Sequence, residues 1–522
     1  MSSTNRTLVK AAGFLMAAQL VSRILGFLRE SLIAGFYGQK GATDAYNAAF
    51  ILPDLLYWLL VGGVLSAAFI PVFSQYIAKG KADEGWRVAS SVANLILLTL
   101  GVVTLVGIFF TPQFIRFVVP GLEPENIVLA IQLTRILLIQ PLFMALSGLT
   151  MGVLNSYKIF WPSALGSVLY NACIIFFGTI LANPADPNSI SGFAIGVVVG
   201  AFVSFAVQIP ALRKVGMRYY PIINWRDPGV RRIAALAVPI IISFSLGQIQ
   251  VAVNAKFGSF LSPGSISAYW WSYRLYQLPV GIFAIAIAVA SFPTMTEQAA
   301  LKQWDQLRLT ISQAVRMVIF ITLPISAGMI VLRLPLIRVL FQHGNFTAQD
   351  TYTTAFPLLF FAVGISAQSV IQILPRAFYA VQDTWTPVTL GIVGMVVNVI
   401  AVVLLVGPLA VGGLALATSI AAFVNMILLF YMLRRRLGQM DGWAMVWTSL
   451  KTLVASLVMA AVIWAWSEWL TPFIGIQTLS SLIVLVTGTA LGVIAFAGMA
   501  KILRMGEFEQ AMRLVSRKLG KL

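Results

Sequence analysis

Apolar stretches long enough to cross a bilayer follow one another along almost the whole chain, and that succession limits the fold more than any other feature. A hydrocarbon core about 30 Å thick takes about 20 apolar residues of helix, and about fourteen stretches reach that length. They run over 8–37, 43–78, 87–117, 126–155, 161–183, 190–213, 232–260, 267–297, 306–340, 350–380, 385–407, 411–433, 446–470 and 478–503. Of 522 residues, 59% are hydrophobic and 10% charged, with a mean hydropathy of +0.90, outside what a water-soluble surface can carry. The expectation is an all-α polytopic membrane protein of about 14 transmembrane helices, because helices satisfy their own backbone polar groups in lipid. Long spans with Pro or Gly inside them, such as the second with Pro53 and Gly62-Gly63, are expected to bend, tilt or protrude. The first run passes into Arg23 with only "MAAQ" as a weak cleavage site, so it is expected to remain a helix and not to leave as a signal peptide.

A formal net charge of +18 raises nucleic acid as a partner, but the distribution of the charges argues against it. Lys79, Lys81 and Arg87 follow the second span, Arg213, Lys214, Arg218, Arg226, Arg231 and Arg232 surround the link between the sixth and seventh, and Arg434, Arg435 and Arg436 follow the twelfth. An even number of spans puts these and both termini on one face, which the positive-inside rule makes cytoplasmic. The opposite loops, "GLEPEN" (121–126) and "NPADPN" (183–188), are acidic or neutral. Arg333 and Arg338 run against the rule. The tail, 504–522, sets Met505, Phe508, Met512, Val515, Leu519 and Leu522 at helical spacing among basic residues, which describes an amphipathic helix on the inner membrane surface. Cys173 is the single cysteine and His343 the single histidine, so no disulfide framework, metal cluster or His-based triad is expected.

The chain repeats itself. "GATDAYNAAFILPDLLYWLLVGGVLSAAFIP" from Gly41 resembles "GSISAYWWSYRLYQLPVGIFAIAIAVASFP" from Gly264, with Ala45-Tyr46 against Ala268-Tyr269 at an offset of 223 and Pro71 against Pro293 at 222. Pro162 matches Pro387 and Asn171 matches Asn398 at offsets of 225 and 227. Each repeat holds six spans, and an even number preserves orientation, so two parallel six-helix lobes (1–220 and 221–440) are expected around a central cavity that opens alternately to either side. The two last spans, within 441–503, lie outside the duplication. A scaffold without a pathway could show the same duplication, and charge inside the spans separates the two readings.

"VSRILGFLRES" (21–31) places Arg23, Arg29 and Glu30 within the first span. An ionised side chain at mid-span costs about 2.5–3.5 kcal/mol on insertion scales, so it faces a partner or water. At 100° per residue Ser22, Gly26, Arg29 and Ile33 form one stripe with Arg23 and Glu30 beside it, a wedge that points inward. Asp44 and Asp54 in the second span, Lys256 in the seventh and Arg274 in the eighth join this set. Asp54, following Pro53, reads as structural, and a salt bridge such as Arg29 with Asp44 is the simplest pairing. The guanidiniums outnumber the nearby carboxylates, and an excess of planar donor forks suits phosphate oxygens. No Walker-type loop, no carboxylate and histidine pair and no ATPase-sized cytoplasmic domain is present. The chain therefore reads as a transporter and not an enzyme, without cofactor or metal, driven by membrane potential or an H+ or Na+ gradient.

At "SRILGFLRE", "ATDAYNAAFILPDLL" and "FYAVQDTWTPV" (378–388) the chain resembles the MurJ/MviN family of lipid II flippases, in the superfamily that also holds multidrug (MATE) and polysaccharide-lipid exporters. The resemblance runs from about residue 8 to about residue 500. It implies fourteen helices, two six-helix lobes and a terminal helix pair with a groove for a polyprenyl tail. It implies as substrate an undecaprenyl pyrophosphate bearing the disaccharide-peptide of peptidoglycan, flipped to the outer leaflet of the bacterial cytoplasmic membrane, with membrane lipids and other cell-wall synthesis proteins as further partners. The family's cavity cations match Arg23, Arg29 and Arg274, and its acidic position matches Asp44; Glu30 and Lys256 complete the expected substrate site. Where some members carry an Arg pair, this chain has Tyr57-Trp58, a nearby acidic position is Gly62, and acidic neighbours of Arg274 become Tyr273 and Gln277. The alternatives within the superfamily are export of another polyprenyl-linked glycan and MATE-like antiport of a drug or cation.

Overall fold

Helices occupy every expected span in the computed structural model, which describes residues 3–60 and 68–519. Two compact units result, Met1–Ser267 with His343–Phe346, and Ala268–Gln342 with Thr347–Leu522. The first holds α1 (Ser3–Tyr37), α2 (Gly41–Ala49), α3 (Ile51–Leu60), α4 (Ile70–Ala78), α5 (Ala82–Val118), α6 (Pro124–Leu137), α7 (Gln140–Ser156), α8 (Trp161–Leu181), α9 (Ser191–Ala206), α10 (Ile209–Lys214) and α11 (Pro228–Ser259). The second holds α12 (Ser265–Pro279), whose first turn belongs to the first unit, a π-helical stretch Val280–Ala284, α13 (Ile285–Ala300), α14 (Trp304–Val331), α15 (Arg333–Phe341), α16 (Ala348–Ile371), α17 (Leu374–Ala380), α18 (Trp385–Leu409), α19 (Val411–Leu437), α20 (Gly442–Ile474), α21 (Thr478–Ile502) and α22 (Gly506–Leu519). Packing groups α11 with α3 and α5, so compactness divides the chain at a later point than the sequence repeat does.

Among the described residues, eleven helices or helix pairs are long and apolar enough to cross a membrane. The other three expected spans correspond to α1, to α2 through α4, and to α11, each with charged residues along it. Residues 61–67, which include Gly62 and Gly63, lie outside the described residues. Proline explains the breaks. It lacks the N–H and clashes with the carbonyl four residues back, so the second span divides at Phe50 ahead of Pro53, the fourth at Leu138 and Ile139 ahead of Pro141, and the tenth ahead of Pro375. Pro279 precedes the π-helical stretch in the eighth.

Left-handed backbone positions recur with the spacing of the repeat. Gly80 and Lys302 (φ 70° and 56°) stand 222 residues apart, Lys158 and Gln382 (62° and 60°) 224 apart, and Gly216 and Gly438 (79° and 87°) 222 apart. Each follows a helix C-terminus, where a residue in this conformation ends the helix. The same turns therefore punctuate both halves of the chain.

Within the first unit, α8 and α9 touch backbone to backbone. A Cβ on Gly196 would stand 2.8 Å from Ile174 Cα, and one on Gly200 2.7 Å from the Tyr170 carbonyl oxygen. Small residues four apart allow this approach, as membrane helices require when no hydrophobic force drives them together. Outward faces are apolar, with Phe109 71%, Ile180 63% and Leu404 67% exposed. On α20 exposed Trp443 and Trp447 lie near one end and Trp464, Trp469 and Phe473 near the other, about 30 Å apart at 1.5 Å per residue, the separation of two interfacial belts.

In the second unit Arg333 and Arg338, which run against the charge asymmetry expected from the sequence, are hydrogen-bonded locally. Arg333 Nη1 donates to the Ile330 carbonyl at 2.7 Å, and buried Arg338 donates to Gln342 Oε1 at 3.0 Å and to Ser481 Oγ at 3.2 Å. Asp383, between α17 and α18, accepts from the Thr386 N–H at 3.1 Å and its hydroxyl at 2.7 Å and pairs with Arg436. Burial pushes this carboxyl upward, but the Thr386 bonds and the Arg436 guanidinium outweigh it and hold Asp383 below the usual carboxylate range. The tail begins as a docked segment: Met505 is buried, Phe508 packs beside it, and Glu507 accepts from Thr448 Oγ1 at 3.1 Å, 3.6 Å from Arg316 Nε. The side chains of Val515 and Leu519, and Leu522 as a whole, lie outside the described residues.

Candidate functional site

The stripe on α1 faces α8. Ile33 is 1% exposed, and a Cβ on Gly26 would stand 3.8 Å from Asn171 Oδ1. Asn171 Nδ2 donates to Ser22 Oγ at 3.2 Å and to the Ser167 carbonyl at 3.2 Å, and Ser22 Oγ donates to the same carbonyl at 3.1 Å. Ser163, Ser167 and Asn171 follow one another at intervals of four, one face of α8.

Arg29 lies at the centre of this seam. Its Nη2 and Nε donate to Glu30 Oε1 at 2.7 and 3.1 Å, and its Nη1 donates to Asn171 Oδ1 at 3.3 Å. These bonds use three of the five N–H donors of a guanidinium. With its side chain 19% exposed, Arg29 keeps two donors without a partner among the described residues. Arg23 is exposed and makes no hydrogen bond or ion pair among the described residues. Asp54 on α3 lies within electrostatic reach of Arg29, yet its carboxylate makes no ion pair among the described residues. By number Glu30 and Asp54 match Arg23 and Arg29. What remains in excess is therefore unsaturated donor forks, the arrangement that takes an oxyanion.

Asp44 is not the partner of Arg29. It is 2% exposed, and both its oxygens are engaged at the turn into α12: Oδ2 accepts from the Gly264 N–H at 2.7 Å, and Oδ1 accepts from the Ser267 N–H and hydroxyl, both at 2.7 Å. Asn47, one turn on, donates to Ser267 Oγ at 3.3 Å. A carboxylate at the first-turn amides of a helix meets the positive end of its dipole, which accounts for the choice of backbone donors over a guanidinium. Lys256 on α11 places its Nζ 4.4 Å from the centroid of the Phe117 ring, a cation–π contact.

Arg274 is half-buried on α12 in the second unit. Beside it, Gln277 Nε2 donates to the Tyr273 hydroxyl at 2.7 Å, and Tyr269, Tyr273, Tyr276 and Phe361 form an aromatic cluster. In the first unit Tyr57 and Trp58 pack edge to face at 5.4 Å between ring centroids. Asn171 and Ser167 are the site residues that charge alone does not reveal; their signal is the polar i, i+4 spacing on an otherwise apolar helix.

The family model described as "Lipid II flippase MurJ" matches residues 33–486. A relative in Vibrio cholerae, described as a probable lipid II flippase MurJ, is 30% identical over 92% of this chain and 96% of its own. One in Burkholderia cenocepacia, described as lipid II flippase MurJ, is 29% identical over 88% and 89%. Among solved structures, "Lipid II flippase MurJ, inward closed conformation" superposes with a TM-score of 0.78 at 27% identity, covering 94% of this chain and 99% of that one. An inward-facing MATE family multidrug transporter of the MOP superfamily superposes with a TM-score of 0.68 at 17% identity over 81% and 96%, a likeness of fold alone.

Proposed function

The chain belongs to the MurJ family of lipid II flippases, and on that premise we propose that it carries lipid II from the inner to the outer leaflet of the bacterial cytoplasmic membrane by alternating access, for cell-wall synthesis. The observation that carries this reading is the pair of unsaturated guanidiniums, Arg23 and Arg29, on a helix of a multi-pass membrane protein. They are assigned to the pyrophosphate, a role that the family resemblance extends to Arg274. A MATE-like antiporter of cations would need carboxylates free to meet its substrate. Here Asp44 is consumed by backbone donors and Glu30 by Arg29, and Asp54, which makes no ion pair among the described residues, lies within electrostatic reach of Arg29.

The long polyprenyl chain needs apolar surface that reaches lipid, and α20 and α21 supply it. Their exposed faces carry Leu457, Val486, Val493 and Ile494. The test is complementation of a conditional lipid II flippase mutant. The full chain is expected to restore growth, and a chain lacking 446–503 is expected to fail; failure of the full, membrane-inserted chain would sink the reading.

From the basic loops we infer that both termini are cytoplasmic. In a Cys173→Ser background, cysteines introduced at 123 and 186 are expected to react with a membrane-impermeant thiol reagent outside intact cells, and one at 436 is expected to be protected. Labelling at 436 from outside would reverse the orientation.

A further inference from the structure

A cavity of about 340 Å³ lies inside the first unit, bordered by Ser22, Ser147, Ser163, Ser167, Asn171 and Ser204, in the size range of about 300–1,000 Å³ typical of small-molecule sites. Asn171 is shared between this cavity and Arg29, to whose Nη1 it offers Oδ1 at 3.3 Å. Among the described residues, no Asp, Glu, Lys or Arg lines it. Ser147 and Ser204 bond each other at 3.3 Å and Gln208 Nε2 donates to Ser147 Oγ at 2.7 Å, so the serine hydroxyls have partners and what they keep for a ligand is unused lone-pair capacity.

The direction of the hydrogen bonds narrows the ligand. A serine hydroxyl has one proton and two lone pairs. Ser163 Oγ donates to the Phe160 carbonyl at 2.9 Å, Ser167 Oγ to the Ser163 carbonyl at 3.3 Å and Ser22 Oγ to the Ser167 carbonyl at 3.1 Å. Their protons are spent on backbone, so what they present is acceptor lone pairs. Tyr57 and Tyr170 also line the cavity; the Tyr170 hydroxyl accepts from Gln140 Nε2 at 3.4 Å, and its own proton remains to donate. Met144 and Met151 add apolar wall. Lone pairs without cations repel phosphate, and the lack of a carboxylate disfavours a metal ion or a drug cation. A neutral, hydroxyl- and amide-bearing ring with apolar C–H faces fits all three features.

We propose that this cavity receives an uncharged sugar of the lipid-linked head group while Arg29 holds the adjoining phosphate. The proposal rests on the lipid II reading and adds a second subsite to it. Ser163 lies two turns from Asn171, so Ser163→Leu fills the cavity without touching the Arg29 seam. In detergent, this variant is expected to bind lipid II about tenfold or more weakly, the loss of one or two hydrogen bonds, and to bind undecaprenyl pyrophosphate, which lacks sugar, as the unaltered protein does. A near-isosteric second variant guards against misfolding. In Cys173→Ser protein carrying Ser167→Cys, a small water-soluble thiol reagent is expected to label the cavity, lipid II to protect it and undecaprenyl pyrophosphate not to. Equal loss of both ligands in Ser163→Leu, or a thiol that lipid II leaves reactive, overturns the sugar subsite and leaves the flippase reading standing. If the unaltered protein bound neither ligand, the lipid II reading would fall and the subsite with it.

Discussion

Replacing Arg29 by alanine is expected to abolish complementation of a lipid II flippase mutant while the protein still reaches the membrane. Two effects add. The pyrophosphate loses charge-assisted bonds worth about 1.5–3 kcal/mol each, and Glu30, which is 4% exposed, loses the cation that neutralises it, at a cost of about 3–5 kcal/mol for a broken buried pair. Arg23→Ala is expected to lose transport through the first effect alone, about 10- to 100-fold per charge-assisted bond lost, and Arg274→Ala is expected to lose transport as well. Arg→Lys at each position is expected to restore only part, because an ammonium offers a point charge without the fork. At Arg29 the shortfall should be largest, since one lysine cannot reach both Glu30 Oε1 and Asn171 Oδ1 and keep donors for a phosphate. Wild-type growth with all three arginines substituted would remove the assignment. Growth lost together with membrane expression would point to folding instead, and it would leave Arg23→Ala as the informative variant, because Arg23 has no partner among the described residues to strand.

Asp44→Ala is expected to have the largest effect on stability. The substitution strands the Gly264 and Ser267 N–H groups and the Ser267 hydroxyl, all bonded at 2.7 Å in a buried setting. Each stranded donor costs about 1–3 kcal/mol, and partial relaxation leaves about 3–5 kcal/mol, a large share of what holds a domain together. Gly264, at φ +90°, has the Gln39 carbonyl oxygen 2.5 Å from where a Cβ would sit, so the turn cannot shift toward α2 to compensate. Asp44→Asn should fall between, keeping an acceptor but losing charge. The readout is the thermal midpoint of the purified protein in detergent, with an unchanged midpoint in Asp44→Ala as the contrary result. This locates Asp44 as a positioning residue, which differs from a direct role in substrate binding.

The sites of bending and the helical content were legible in the sequence because lipid leaves a chain few options. Every backbone group must be satisfied within a helix, and each internal proline removes one such bond at a known place. The stripe on α1 was legible for a related reason: Arg29 and Glu30 stand out in an apolar run. Their partners were not. Asn171 lies 142 residues from Arg29, and its amide has no charge to mark it, so only the packing of α1 on α8 gives it a role. The pairing expected for Asp44 failed on a different ground. Charges are visible in a sequence and backbone N–H groups are not, so charge pairing points to a guanidinium where the first turn of a helix supplies the donors.

The central claim is that this chain moves lipid II across the membrane through the guanidiniums of α1. The direct measurement is the amount of lipid II in the outer leaflet of cells depleted of their own flippase and supplied with this chain, read by cleavage with an externally added lipid II-hydrolysing enzyme. Cleavage restored by the unaltered chain and lost with Arg29→Ala at equal membrane levels is the predicted result. No cleavage with the unaltered chain, or full cleavage when Arg23, Arg29 and Arg274 are all alanine, would contradict it.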